Sequence, residues 1–172
     1  MTHSPWFTWT NNALSDLGLQ GISAAIFNNG IIVVGLLFLI FSVGLITILE
    51  NKIGAYLLNI SSVSLIFAGV FPESSFVLHY FFSVAFFGSL IIALLFFAFS
   101  IEKTSFGKNM GRIAFGLFFL SIASTAFLFI FKGIAIPESL IIFPTFFWFI
   151  GFGIKMTHAS ELKEHKNRDN SC

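Results

Sequence analysis

Apolar runs of about 20 residues, parted by short charged gaps, constrain this chain most, because such a run crosses a bilayer core as an α-helix. The first run spans Gly30 to Leu49, starting as early as Ile26, and stops at Glu50-Asn51-Lys52. The second, Ile53 to Phe71, closes at Pro72, which lacks the N–H a continuing helix needs. The third, Phe76 to Ile101, is the longest and reads as tilted or as opening with an interfacial turn. A polar gap, Glu102 to Arg112, precedes the fourth at Ile113 to Phe131. The fifth, Ile134 to Ile154, carries Pro137 in its first turn and Pro144 well inside, where a kink is expected.

Composition agrees: 56% of residues are hydrophobic, 10% are charged and the mean hydropathy is +0.93. Soluble domains carry about 25% charged residues. Open sheet edges are not viable in lipid, and no period-two pattern supports a barrel. The expected fold is therefore all-α: a polytopic membrane bundle of five transmembrane helices. Residues 1–29 form an N-terminal interfacial or re-entrant segment, 30–155 the bundle, and 156–172 a cytoplasmic tail.

Lys and Arg orient such a bundle, since cytoplasmic loops carry them in excess. With loops alternating sides, one side receives Lys52, Lys103, Lys108, Arg112, Lys155, Lys163, Lys166 and Arg168; the other receives only Lys132. The expectation is a multi-pass cell-membrane protein with its N-terminus outside and its tail inside. Asp16, Glu73 and Glu138 then fall outside. No basic patch interleaves with aromatics, so no nucleic-acid partner is expected, and membrane lipids are the natural surroundings. Met1 to Thr10 lacks the cationic start of a signal peptide. The single Cys172 has no partner for an internal disulfide and no ligand neighbour.

Small and polar residues at helical spacing predict packing seams. Ala55, Asn59, Ser62, Ile66 and Gly69 share a face of the second span, as do Ser121, Thr125, Leu128 and Lys132 on the fourth. Small residues let backbones approach and polar ones bond across helices; a substrate path is the alternative. Gly107 to Gly111 has GxxxG spacing but lies in a charged loop and is no dimer motif. The 26 phenylalanines read as exchange among apolar residues and receive no functional weight.

Chemistry gathers in one stretch. Trp9-Thr10-Asn11-Asn12-Ala13-Leu14-Ser15-Asp16-Leu17-Gly18 is the only dense polar run lying against spanning sequence. Leu19 to Asn29, with Gln20, Ser23, Asn28 and Asn29, is too polar to cross freely and too apolar to float. It is expected as a half-buried helix capped by Ser15 or Asp16, with Trp6 and Trp9 anchored at headgroup depth. Glu73 and His79 stand close together at the same end. The candidate polar pocket is Asn11, Asn12, Ser15, Asp16, Asn28, Glu73 and His79. Two carboxylates and an imidazole can act as acid and base or hold a cation; the blander reading is a cap, a turn and a hydrogen-bond network. His3 is the only other histidine on that side, while His158 and His165 fall opposite, so no metal and no cofactor are expected. Ser15 beside Asp16 is no triad, since neighbours on a helix point apart. No phosphate loop or haem pattern is present.

Certain elements resemble a known family. Pro5-Trp6-Phe7, Thr10 to Gly18, Ile26-Phe27-Asn28, Ala68-Gly69-Val70-Phe71-Pro72-Glu73 and His79 are similar to the prokaryotic, mostly archaeal, membrane proteins grouped as domain of unknown function 998 (DUF998). The resemblance covers nearly the whole chain and implies a helical bundle, usually of six spans, with no established activity. Similar members place an apolar helix before the Trp-rich run, whereas here Met1 stands four residues before Pro5. That pattern implies a gene start assigned too late or a lost first helix. The functional expectation is an outward-facing polar pocket that binds lipid or a small ligand. The alternative is a lipid-processing hydrolase using Asp16, Glu73 and His79, loosely similar to alkaline ceramidases. An ion or proton pathway ranks third, because no charged residue lies at the middle of any span.

Overall fold

A computed structural model describes residues 4–102 and 107–169, with side chains at 4–101 and 107–158. His3, Lys103 and Cys172 lie outside the described residues, as do the side chains of Lys163, His165, Lys166 and Arg168. Five helices follow one another: α1 (Gly21–Ile48), α2 (Ile53–Val70), α3 (Phe76–Glu102), α4 (Lys108–Ser124) and α5 (Ala135–Asp169). Short 3-10 turns occupy Leu14–Gly18, Glu73–Ser75 and Thr125–Phe129. Among the described residues there is no strand, and each of five helical segments is long and apolar enough to cross a membrane. The expected all-α bundle is the observed one. Consecutive helices pack side by side through short links, which makes them antiparallel neighbours. The N-terminal segment, the α2–α3 turn and the α4–α5 link therefore share one end, the motif end. The other end carries Lys52, Lys108, Arg112 and Lys155 and is the basic end.

The expected break between residues 19–29 and the first span is not there. α1 runs unbroken from Gly21, because its polar side chains are bonded locally. Ser23 donates to the Gln20 carbonyl at 2.9 Å, Asn29 to that of Ala25 at 2.8 Å, and Asn28 to that of Gly18 at 3.0 Å. Once paired, such groups no longer oppose a helix at the membrane boundary. The segment standing apart from the bundle thus ends near Gln20 rather than Asn29.

α2 fits against α1 along the expected seam, where Ala55, Ser62 and Gly69 are buried. Asn59 donates to Ser42 of α1 at 3.2 Å, and Ser61 to the Phe86 carbonyl of α3 at 3.1 Å. The seam expected on the fourth span is displaced. Ser121 is buried, but Thr125, Leu128 and Lys132 are exposed, and the buried line runs through Gly111, Ala114, Leu117, Ser121 and Ser124. From Thr125 the chain tightens into a 3-10 turn, whose three residues per turn rotate later side chains off the α-helical face.

α5 continues through Pro144 and past Ile154 to Asp169; residues 155–169 contain neither Gly nor Pro to stop it. It joins the bundle through rings. The Phe149 ring lies 5.0 Å from Phe38 and 5.5 Å from Phe41 of α1, and Trp148 lies 5.9 Å from Phe97 of α3. The Trp148 indole N–H donates to the Met110 carbonyl at 3.0 Å. Part of the phenylalanine excess therefore has a structural task, filling the wider gap between α1 and α5.

The α1–α2 seam yields a sharp contrast between glycines. A Cβ at Gly69 would stand 2.6 Å from Ile32 Cγ1 and 2.8 Å from the Asn28 carbonyl oxygen, whereas one at Gly44 would meet nothing within 4 Å. Gly69→Ala should cost about 1–3 kcal/mol by forcing the helices apart, while Gly44→Ala should be neutral or stabilising. Thermal unfolding in detergent compares them; equal effects would refute the close seam.

Candidate functional site

The motif end is built around a proline. The Ala68 carbonyl would take its helical hydrogen bond from residue 72, but Pro72 has no N–H to give. His79, buried near the start of α3, supplies the missing donor: its Nδ1 lies 3.1 Å from the Ala68 oxygen and 2.9 Å from that of Phe71. Carbonyls only accept, so the Nδ1 proton is fixed by this pair. The other nitrogen, Nε2, faces Glu73 Oε2 at 3.1 Å. Glu73 reaches it because Pro72 ends α2 and the chain turns through Glu73–Ser75, with the Ser75 N–H donating to the Pro72 carbonyl at 2.7 Å. Both ring nitrogens thus have a neighbour within 3.1 Å.

The N-terminal polar run docks across the same end. Asp16 does not cap α1; Oδ2 reaches back to the Ala13 N–H at 3.0 Å and accepts from the Asn12 amide at 2.8 Å. That is half of a capping box, made on the 3-10 turn Leu14–Gly18 rather than on the helix beyond it. The Asn12 carboxamide oxygen accepts from the Thr8 N–H at 2.9 Å, and the Asn11 amide donates to the Thr8 hydroxyl at 3.0 Å. Asn28 holds the end of the turn through the Gly18 carbonyl; a Cβ at Gly18 would collide with the Asn28 side chain.

The α4–α5 link receives this segment. Gly133 donates to the Thr10 carbonyl and Ala135 to that of Asn12, each at 2.9 Å. The approach requires glycine, since a Cβ at 133 would enter the Asn11–Asn12 backbone. Glu138, in the first turn of α5, accepts from the Leu14 N–H at 2.7 Å through Oε2. The acid thereby satisfies a free N–H at the start of the 3-10 turn. Sequence reasoning placed Glu138 at this end but left it out of the pocket. An acid beside Pro137 at a helix start was a visible signal; its distance from residue 14 was not.

Between the docked segment and the helices lies a cavity of about 350 Å³. Its walls are chiefly apolar, with Leu65, Phe86 and Ile142 among them, and its polar members are Ser15, His79, Ser83 and Glu138. A second cavity of about 310 Å³ shares Trp9, Leu17 and Phe27 with the first, so those three form the partition. Of the residues expected to make one pocket, Ser15 and His79 line the larger cavity and Glu73 is bonded to His79. Asn11, Asn12, Asp16 and Asn28 serve the docking of the N-terminal run instead. Among the described residues no group of three His, Cys, Asp or Glu could hold a metal ion.

A family model described as "Protein of unknown function (DUF998)" matches residues 1–155. No curated protein and no solved structure matches the chain.

The bonding pattern separates coupled from independent residues. Glu73→Gln and His79→Gln should be non-additive by more than about 0.5 kcal/mol, since they share a bond. Asp16→Asn should cost about 1 kcal/mol or less, because asparagine also caps, and should add to His79→Gln. Double-mutant cycles by thermal unfolding in detergent test this; coupling between Asp16 and His79 would overturn the separation.

Proposed function

The chain belongs to the DUF998 family, and from that premise we propose that this multi-pass membrane protein binds a lipid or small amphiphile in the cavity at its motif end. One observation carries the reading: a cavity of about 350 Å³ with apolar walls and a few convergent polar groups. Ligand sites have this character and fall at about 300–1,000 Å³. An apolar chain fits against Leu65, Phe86 and Ile142, while a polar head meets Ser15, Ser83 and Glu138. Trp9, half-exposed on the partition, suits the interface where head and chain part company.

The hydrolase alternative asks His79 to act as a base, yet both its nitrogens already have partners. Asp16 is likewise taken up by its own turn. Binding therefore ranks above catalysis. The ion-pathway reading is weaker still, since Asp16, Glu73 and Glu138 gather at one end rather than along the spans. We place the motif end outside the cell, on the eight-to-one distribution of Lys and Arg.

Two outcomes are expected. Lipid extraction and mass spectrometry should find an amphiphile retained by the purified wild type and lost from Ser83→Phe, which fills the cavity. Retention by a folded Ser83→Phe protein would sink the reading. In intact cells an impermeant thiol reagent should label Thr10→Cys, an exposed position, in a Cys172→Ser background. Protection of Thr10→Cys in that background, with labelling of Cys172 in the wild-type protein, would reverse the orientation.

A further inference from the structure

We infer that the basic end carries a separate site for an anionic phospholipid, its phosphate on Arg112 and its acyl chain against Phe99 and Phe115. A groove of about 200 Å³ runs between α3 and α4, lined by Ala98, Phe99, Gly111, Arg112 and Phe115. Phe99 and Phe115 are 58% and 41% exposed, with ring centroids 6.2 Å apart, so the groove has an aromatic wall open to its surroundings.

The order of residues along α4 matches a lipid from head to tail. Lys108, Arg112, Phe115 and Phe119 follow at spacings of four, three and four, which places them on one helical face. All four are exposed. Two cations come first, where α4 begins, and two rings follow deeper into the span. The Phe115 and Phe119 rings meet edge to face at 4.8 Å.

Charge then selects the head. Among the described residues no acidic side chain pairs with Arg112, so its guanidinium keeps its donors for a ligand. Arg presents a planar fork that matches phosphate oxygens in pairs, and its stem can lie along the rings while the head reaches the interface. Lys52 and Lys155 lie at the same end of the bundle but outside the groove. A zwitterionic head would gain less, because among the described residues the groove offers its cationic part no carboxylate. A free phosphate would satisfy Arg112 but leave the aromatic wall unused, so the occupant is a lipid.

The test is native mass spectrometry of the full chain in detergent, with phosphatidylglycerol or phosphatidylcholine of matched chains added. Wild type should retain phosphatidylglycerol preferentially. Arg112→Gln, at an exposed position, should reduce that retention about fivefold, the effect of one basic residue near an anionic head. Lys52→Gln, at the same end but outside the groove, should leave it nearly unchanged. Equal retention of the two lipids, an unaffected Arg112→Gln protein, or an equal loss with Lys52→Gln would each overturn the site. The last outcome would mean diffuse surface charge.

Discussion

The hydrogen bonds from His79 Nδ1 to the Ala68 and Phe71 carbonyls are what the motif end depends on. A carbonyl left without a donor inside a bilayer costs several kcal/mol, and Pro72 creates one at Ala68 by having no N–H to offer. A side chain from the next helix must supply it. His79 stands two turns beyond the proline, close enough for its ring to fold back onto α2. That contact ties α2 to α3 at this end and fixes the Nδ1 proton. It also turns Nε2 toward Glu73, and it makes the ring a wall of the larger cavity.

A second set of backbone bonds completes the end. The segment before α1 has no long helix of its own, so its amides and carbonyls need partners from elsewhere. They find them in the α4–α5 link and the first turn of α5, through Gly133, Ala135 and Glu138. The chain's first and last transmembrane helices are thereby tied together at one end by main-chain bonds. Deeper in the bundle the same two helices meet through rings, with Phe149 packed on Phe38 and Phe41. The cavity is the space these two kinds of contact leave between them.

The bundle was legible in the sequence because lipid forces a simple code: long apolar runs, broken by charges and prolines. Local bonding was less legible. Asn28 and Asn29 suggested a break near residue 29, but a side chain that bonds its own helix or the preceding turn stops nothing. The seam on α4 was right through Ser121 and wrong beyond Ser124, where a change of helical pitch carries no clear mark in residue type. At the site, the pairing of Glu73 with His79 was readable because only a short turn separates them. The docking of Leu14 onto Glu138 joins residues 124 apart, and no spacing rule in one sequence reaches that far.

The same distinction explains why this end looks catalytic in sequence. Asp, Glu, His, Ser and Asn are the residues that do acid–base chemistry, and also the ones that satisfy exposed backbone groups at turns and helix ends. Near a membrane the second task is compulsory, whereas the first is optional. Here the bonds favour the second task. Asp16 is occupied by Asn12 and Ala13, Glu138 by Leu14, and His79 on both nitrogens. What the cavity retains is an apolar interior with the hydroxyls of Ser15 and Ser83 at its polar side. Such a surface can hold an amphiphile in one orientation without breaking any of its bonds. The polar residues thus shape the site chiefly by holding its walls in place.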